Sequence, residues 1–499
     1  MQEGKSAVRL PRKSESVVTG ACRKIARGRC AAAILALAAA TGAYAAAGGS
    51  EQRPAEIRDG NLPSRSAGLL AVGQDGRLRT AGAARLGHRA GAVDKLGSFA
   101  FGLGYGAPDY DSAALCLVGL NARGEIDPGF GTGGSVVTPL LPLANRDRAT
   151  VTALLTDAQG RMFVVGWRTL STRLDANFLV LVVARYTAAG VLDSGFGDGG
   201  IVTTRIERDD VTQALAATLD DEGRLLVAGY NGGRNRERGR DFDDWPIRVV
   251  VLRYTAGGVL DHTFGTGGIA AHVLVPGKPK GHAGRDFLYY DREKTKSAAL
   301  TLDRQGRSVV AASSDEGPIV LLRHTRAGVP DASFGKGGVV ETPLGTSVGI
   351  SSFVRSADGR LLLAGTSDRN AVLLRYSADG ALDASFGDGG IRRTSIGEGM
   401  RVSAALAEAD GHLLVVASGN RRVTLARYDR DGRPDLRHGS NGVIVVDLDK
   451  TVATAAGLAV DDTGTPIVTV SSENGMFLLR FRRGAPVEVR FHAVPPARS

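Results

Sequence analysis

An eleven-residue phrase returns six times along the chain, and no other feature constrains the fold as strongly. It reads first Gly124-Glu-Ile-Asp-Pro-Gly-Phe-Gly-Thr-Gly-Gly134, then Gly190-Val-Leu-Asp-Ser-Gly-Phe-Gly-Asp-Gly-Gly200. It recurs over 258–268, 328–338 and 380–390, and in degraded form over 432–442. A fixed-period repeat means that one supersecondary unit is stacked several times, each copy burying its apolar face on the next. The 68 glycines exclude a predominantly helical chain, and they lack the three-residue period of collagen.

Each phrase is preceded by a shorter signal, an apolar run, a turn ending in Gly and a second apolar run. The turns are Gln74 to Gly76, Asp157 to Gly160, Asp221 to Gly223, Asp303 to Gly306, Ala357 to Gly359, Ala409 to Gly411 and Asp462 to Gly464. Glycine supplies the positive φ that a tight hairpin needs, so these seven turns predict seven hairpins. The clearest unit spans 401–449, with strands predicted over Val402–Glu408, His412–Ser418, Arg422–Tyr428 and Gly442–Leu448. Four apolar strands in about 52 residues match the size of a propeller blade. Arg323, Arg375, Arg427 and Arg480 keep that spacing.

The sequence therefore predicts an all-β, seven-bladed β-propeller of four-stranded antiparallel blades over residues 67–494. A linker over 46–66 precedes it and a tail over 495–499 follows. The seventh unit, 451–494, keeps its apolar runs but lacks the long phrase. Which strand closes the ring stays open at this level.

The stretch Arg375-Tyr-Ser-Ala-Asp-Gly-Ala-Leu-Asp-Ala-Ser-Phe-Gly-Asp-Gly-Gly390 resembles the consensus of the delta-60 repeat family of bacterial proteins. Arg185-Tyr186, Arg253-Tyr254 and Arg427-Tyr428 open their copies in the same way, and the resemblance covers roughly residues 68–450. It implies an exported or surface-associated protein with propeller-like repeats, and it carries no catalytic residues. Three copies depart from the pattern: Leu120 and His324 replace the Tyr, and His438 replaces the Phe. Such departures read as wear at the ends of an array whose phrase is structural. The residues assigned to that structural motif are Asp193, Phe196, Asp261, Phe264, Asp331, Phe334, Asp383 and Phe386. Asp next to Gly-rich backbone accepts amide hydrogen bonds within its own loop, and each Phe is expected to be a buried plug.

The net charge of +10 invites a nucleic-acid reading, but residues 1–45 hold eight Lys and Arg against two Glu. That segment has the three parts of a secretory signal peptide: a basic start, an apolar run from Ala31 to Ala40, and Ala43-Tyr-Ala45 as cleavage site. The expected location is periplasmic or extracellular, with no membrane insertion after cleavage and no nucleic-acid partner. Cys22 and Cys30 fall in this leader, which leaves Cys116 alone in an apolar run, a buried small hydrophobe.

Little else points to chemistry. Asp429-Arg-Asp-Gly432 has the look of a calcium loop but lacks the Asp/Asn spacing and closing Glu of an EF-hand. The eight histidines include no His-x-Glu or His-x-x-x-His pair. The glycine phrases run into strands, not helix starts, so they make poor phosphate cradles. No cofactor, metal or catalytic residue is expected.

Extra sequence is unevenly distributed. Insertions over 85–112, 168–177 and 231–247 fall between second and third strands, and 272–296 falls between a fourth strand and the next first strand. In an up-and-down blade both connection types leave from one face, opposite the glycine phrases. Long loops on a rigid scaffold are where binding concentrates. Two insertions share a pattern, Gly239-Arg-Asp-Phe-Asp-Asp-Trp245 and Gly284-Arg-Asp-Phe-Leu-Tyr-Tyr290. Arg with Trp and Tyr is the composition of interface hot spots, so Arg236, Arg240, Trp245, Tyr289 and Tyr290 are the candidate binding residues. The functional expectation is a monomeric, non-enzymatic envelope or secreted scaffold that holds a protein or glycan partner. The alternative is an envelope hydrolase whose acidic residues converge at the mouth of the propeller.

Overall fold

The computed structural model describes Val8–Arg9 and residues 66–493, apart from 69, 73–76, 87–92, 97–112, 141–148, 172–176, 207–209, 234–246, 276–296, 314–317, 345–347, 368, 420, 449–452, 462, 473–474 and 483–486. Seven separate antiparallel sheets follow one another along the chain, each ordered as the chain runs, from an inner to an outer strand. Blade one comprises Leu70–Val72, Leu78–Leu86, Ala113–Leu120 and Ser135–Pro139. Blade two holds Ala149–Thr156, Met162–Ser171, Asn177–Tyr186 and Ile201–Thr204. Blade three is Asp210–Leu219, Leu225–Gly233, Ile247–Tyr254 and Ile269–Val275. Blade four is Ser297–Leu302, Ser308–Ser313, Ile319–His324 and Val339–Thr342.

Blade five contains Gly349–Arg355, Leu361–Ser367, Asn370–Tyr376 and Ile391–Ser395. Blade six contains Arg401–Ala407, Leu413–Gly419, Arg422–Tyr428 and Val443–Asp447. Blade seven is built from Ala453–Val460, Pro466–Ser472, Gly475–Arg480 and Glu488–Ala493. No helix occurs among the described residues. The protein is a seven-bladed propeller of four-stranded antiparallel sheets. Val8–Arg9, inside the expected leader, pairs in parallel with the outer strand of blade six at Val446 and Asp447. The rest of the leader, the Ala43-Tyr-Ala45 site included, lies outside the described residues.

The core sits between the blades. Second and third strands are apolar on both faces because each face packs on a neighbouring blade; in blade four both are buried along their whole length. Among the described residues the buried apolar side chains form seven clusters, one per seam between consecutive blades. The last of these joins Leu70, Leu78 and Leu120 of blade one to Ala459, Ile467 and Leu478 of blade seven. Ring closure runs through the inner edge. Ser66–Gly68 pairs antiparallel with the innermost strand of blade seven, and the chain then enters blade one at Leu70.

Candidate functional site

Each blade has two ends, and they differ in construction. At the end carrying the glycine phrases, an Arg on the third strand lies buried at the seam. In blade three, Arg253 Nε donates to Asp261 Oδ2 at 2.8 Å, and its guanidinium carbon lies 4.7 Å from the centre of the Phe264 ring. Arg185 with Asp193 and Phe196, Arg323 with Asp331 and Phe334, and Arg375 with Asp383 and Phe386 repeat this arrangement. The same guanidinium then reaches the next blade. Arg185 donates to the carbonyl of Ala256, Arg253 to that of Arg326, Arg375 to that of Arg430, and Arg323 to that of Ala378 at 2.7 Å. Arg480 of blade seven donates to the carbonyl of Ala122 and so closes the ring at this end.

The phrase Asp is also gripped by its own loop. Asp261 Oδ1 accepts from the Thr263 amide and hydroxyl, and Asp331 and Asp383 accept likewise from Ser333 and Ser385. Burial alone would raise these carboxyl pKa values. The hydrogen bonds from the residue two positions on, and then the Arg, outweigh it and hold all three below the usual carboxylate range. A second Arg from the hairpin turn reaches the same carboxylate: Arg307 lies 2.7 Å from Asp331, and Arg360 lies 2.7 Å from Asp383. Carboxylates engaged in this way are poor proton donors or nucleophiles near neutral pH. This end is a set of inter-blade latches.

Three departures from the repeat are compensated here. In blade one the third-strand position is Gly119, and Arg79 opposite it on the second strand supplies the guanidinium, 4.7 Å from Phe130 and 3.7 Å from Asp127. The Tyr that follows the latch Arg bonds across the seam: Tyr186 to Thr138 at 2.8 Å, Tyr254 to Thr204 at 2.6 Å, and Tyr376 to Thr342 at 3.0 Å. Where His324 replaces Tyr, His272 stands at the register position of that Thr on blade three. Where blade seven has Phe481, blade six offers Val446 in the same cluster. His324 with His272 and Phe481 with Val446 are thus matched across their seams, and for His324 this corrects the reading of wear.

The opposite end is uneven. The second and third strands of blade two are 10 residues each, against 7 and 7 in blades five and six. At about 3.4 Å per residue the extra three raise that hairpin by roughly 10 Å. All four insertions leave the described strands at this end: after Leu86, after Ser171, after Gly233 and after Val275. From the first insertion, Val93–Leu96 returns to pair with residues 84–86 on the inner side of blade one. Tyr230 pins blade three to blade four at this end, donating toward the carbonyls of Ser297 and Ser313 at 2.8 Å each. The candidate residues Arg236, Arg240, Trp245, Tyr289 and Tyr290 lie outside the described residues.

Among the described residues no group of three or more His, Cys, Asp or Glu is placed to hold a metal ion. Gly345-Thr-Ser-Val-Gly349 has the spacing of a nucleophile elbow. It joins the outer strand of blade four to the inner strand of blade five, whereas an elbow requires a strand-to-helix turn.

Residues 356–386 match the family model described as "Domain of unknown function (DUF5122) beta-propeller". They run from the first hairpin turn of blade five to its phrase Phe. No curated protein matches the chain. Among solved structures, a catalytically inactive virginiamycin B lyase from Staphylococcus aureus with quinupristin is 13% identical, with a TM-score of 0.40, covering 84% of this chain and 95% of that one. A protein from Lactobacillus plantarum is 12% identical, with a TM-score of 0.42 over 84% of this chain and 97% of that one. A puromycin hydrolase is 15% identical, with a TM-score of 0.40 over 89% of this chain and 57% of that one.

Proposed function

We propose that the protein is an exported, non-enzymatic binding scaffold that holds a protein or glycan partner on the end of the propeller opposite the glycine phrases. The observation that supports this most directly is the division of labour between the two ends. One end is spent on repeated latches, and the other carries lengthened strands and every long connection, gathered on blades one to three and the start of blade four. A rigid ring with loops on one side suits recognition, because the ring absorbs the cost of ordering the loop bases. The basic leader and Ala43-Tyr-Ala45 support export, and the resemblance to the delta-60 repeat proteins agrees with it.

The contact residues in this reading are Arg236, Arg240, Trp245, Tyr289 and Tyr290. The test is affinity capture from envelope extract with the full chain and with a variant in which Asn-Gly replaces residues 234–246. An unchanged melting temperature with loss of the captured species is the expected result. Capture of the same species by the shortened variant refutes a role for this loop.

A further inference from the structure

The compact sector of the same end carries a charge pattern that the latches do not use. Blades five and six have short turns between second and third strands, and each presents an exposed Arg there, Arg369 and Arg421, one repeat apart. Arg401 opens the inner strand of blade six, exposed and opposite Ser418; Arg422 opens its third strand; Arg393 lies exposed on the outer strand of blade five. Carboxylates in reach are few. Glu398 lies 3.1 Å from Arg369, and Asp447 lies 2.7 Å from Arg422. Arg393, Arg401 and Arg421 have no acidic partner among the described residues.

Arg421 is the informative member. It sits in the left-handed region at φ 65°, where a two-residue hairpin turn favours glycine, and its carbonyl accepts from the Leu448 amide at 2.8 Å. A side chain there costs on the order of 1 kcal/mol in backbone strain. Glycine is the residue that stability alone would choose, and among the described residues 32 glycines take positive φ. Arg at this tip stands against local conformational preference, which points to a use for its guanidinium.

We propose that this sector binds an acidic glycan, a chain bearing carboxylates at regular intervals. Planar guanidinium forks on adjacent blades suit successive carboxylates along such a chain. Asn370 and Ser395, beside them in blade five, offer neutral hydrogen-bonding groups for sugar hydroxyls. Nucleic acid fits less well in this sector, because among the described residues of blades five and six every aromatic ring (Phe353, Tyr376, Phe386 and Tyr428) is buried and none is offered for base stacking. The proposal extends beyond the scaffold reading and is independent of the long loops.

The experiment titrates the full chain with polygalacturonate, with polyphosphate and neutral dextran as comparisons, at several salt concentrations. Arg421→Gly combined with Arg401→Gln should weaken polygalacturonate binding about tenfold and flatten its salt dependence by about two charges. Arg421→Gly alone should weaken binding while leaving the melting temperature equal or higher, an outcome that a purely structural role for Arg421 does not produce. The variant lacking 234–246 should bind polygalacturonate as the parent does. Undiminished binding by the double variant, no binding by the parent, or tighter binding of polyphosphate than of polygalacturonate would overturn the proposal.

Discussion

Gly328 of blade four lies so close over Phe264 of blade three that a Cβ at this glycine would stand 2.9 Å from the ring. Gly258 covers Phe196, Gly380 covers Phe334 and Gly432 covers Phe386 in the same way. In blade seven, which has no phrase, Leu478 takes the place of the Phe beneath Gly124. The glycine that opens each phrase and the Phe that follows six residues later thus serve different seams. The Phe plugs a blade, and the glycine of the next blade closes over it.

This geometry separates two kinds of glycine. Gly328→Ala combines a φ of 76° with the Gly265 backbone nitrogen at 2.5 Å and the Phe264 ring at 2.9 Å, and it should cost about 2–4 kcal/mol from strain and overpacking together. Gly337→Ala, at φ 64° with nothing within 4 Å, should cost only about 1 kcal/mol. Denaturant unfolding of the two variants measures the difference; equal costs would mean that both the Phe264 ring and the Gly265 backbone give way freely.

Arg253 is the second test of the latch. Arg253→Met leaves Asp261 buried with its nearest remaining guanidinium, Arg224, 4.0 Å away. Breaking a buried pair from one side typically costs about 3–5 kcal/mol. Asp261→Asn should cost less, since the loop amide still finds an acceptor. The double variant should be more stable than the sum of the singles predicts, by about 1 kcal/mol or more. Strict additivity in a double-mutant cycle would remove the pair from the account of the seam.

The seven blades were legible because the repeat is local: each hairpin turn and each phrase lies within one unit. The seams were not. Arg79 replaces an Arg missing from position 119, on a strand some forty residues earlier, and only the pairing of Arg79 with Gly119 exposes the exchange. His324 looks like a lost Tyr until blade three is seen to place His272 where the Thr belongs. Which position faces which across a seam depends on how blades twist against one another, and a repeat read along the chain holds no record of that. The candidate loop residues were chosen by composition alone, since insertions by definition lack the period that made the rest readable.

The His272–His324 pair gives the ring a titratable seam. Burial pushes His324 down to about 4, with His272 across the seam adding to the shift, and Ser308 Oγ lies 3.4 Å from its Nδ1. Burial also lowers His272, while Glu341 on the outer strand of blade four pulls it upward. Because the folded-state pKa of His324 lies below its unfolded value, the unfolded chain takes up a proton first as pH falls. Stability is therefore full above about pH 6.5, declines as pH drops toward 4, and changes little from this source below that. A shift of this size corresponds to about 3 kcal/mol across the window. His272→Thr combined with His324→Tyr rebuilds the Tyr–Thr bond of the other seams and should flatten the decline between pH 6.5 and 4. Thermal melts of parent and double variant at pH 7, 5.5 and 4.5 measure it. Parallel pH profiles would show that these histidines titrate alike in the folded ring and the unfolded chain, and would refute the seam as a source of pH dependence.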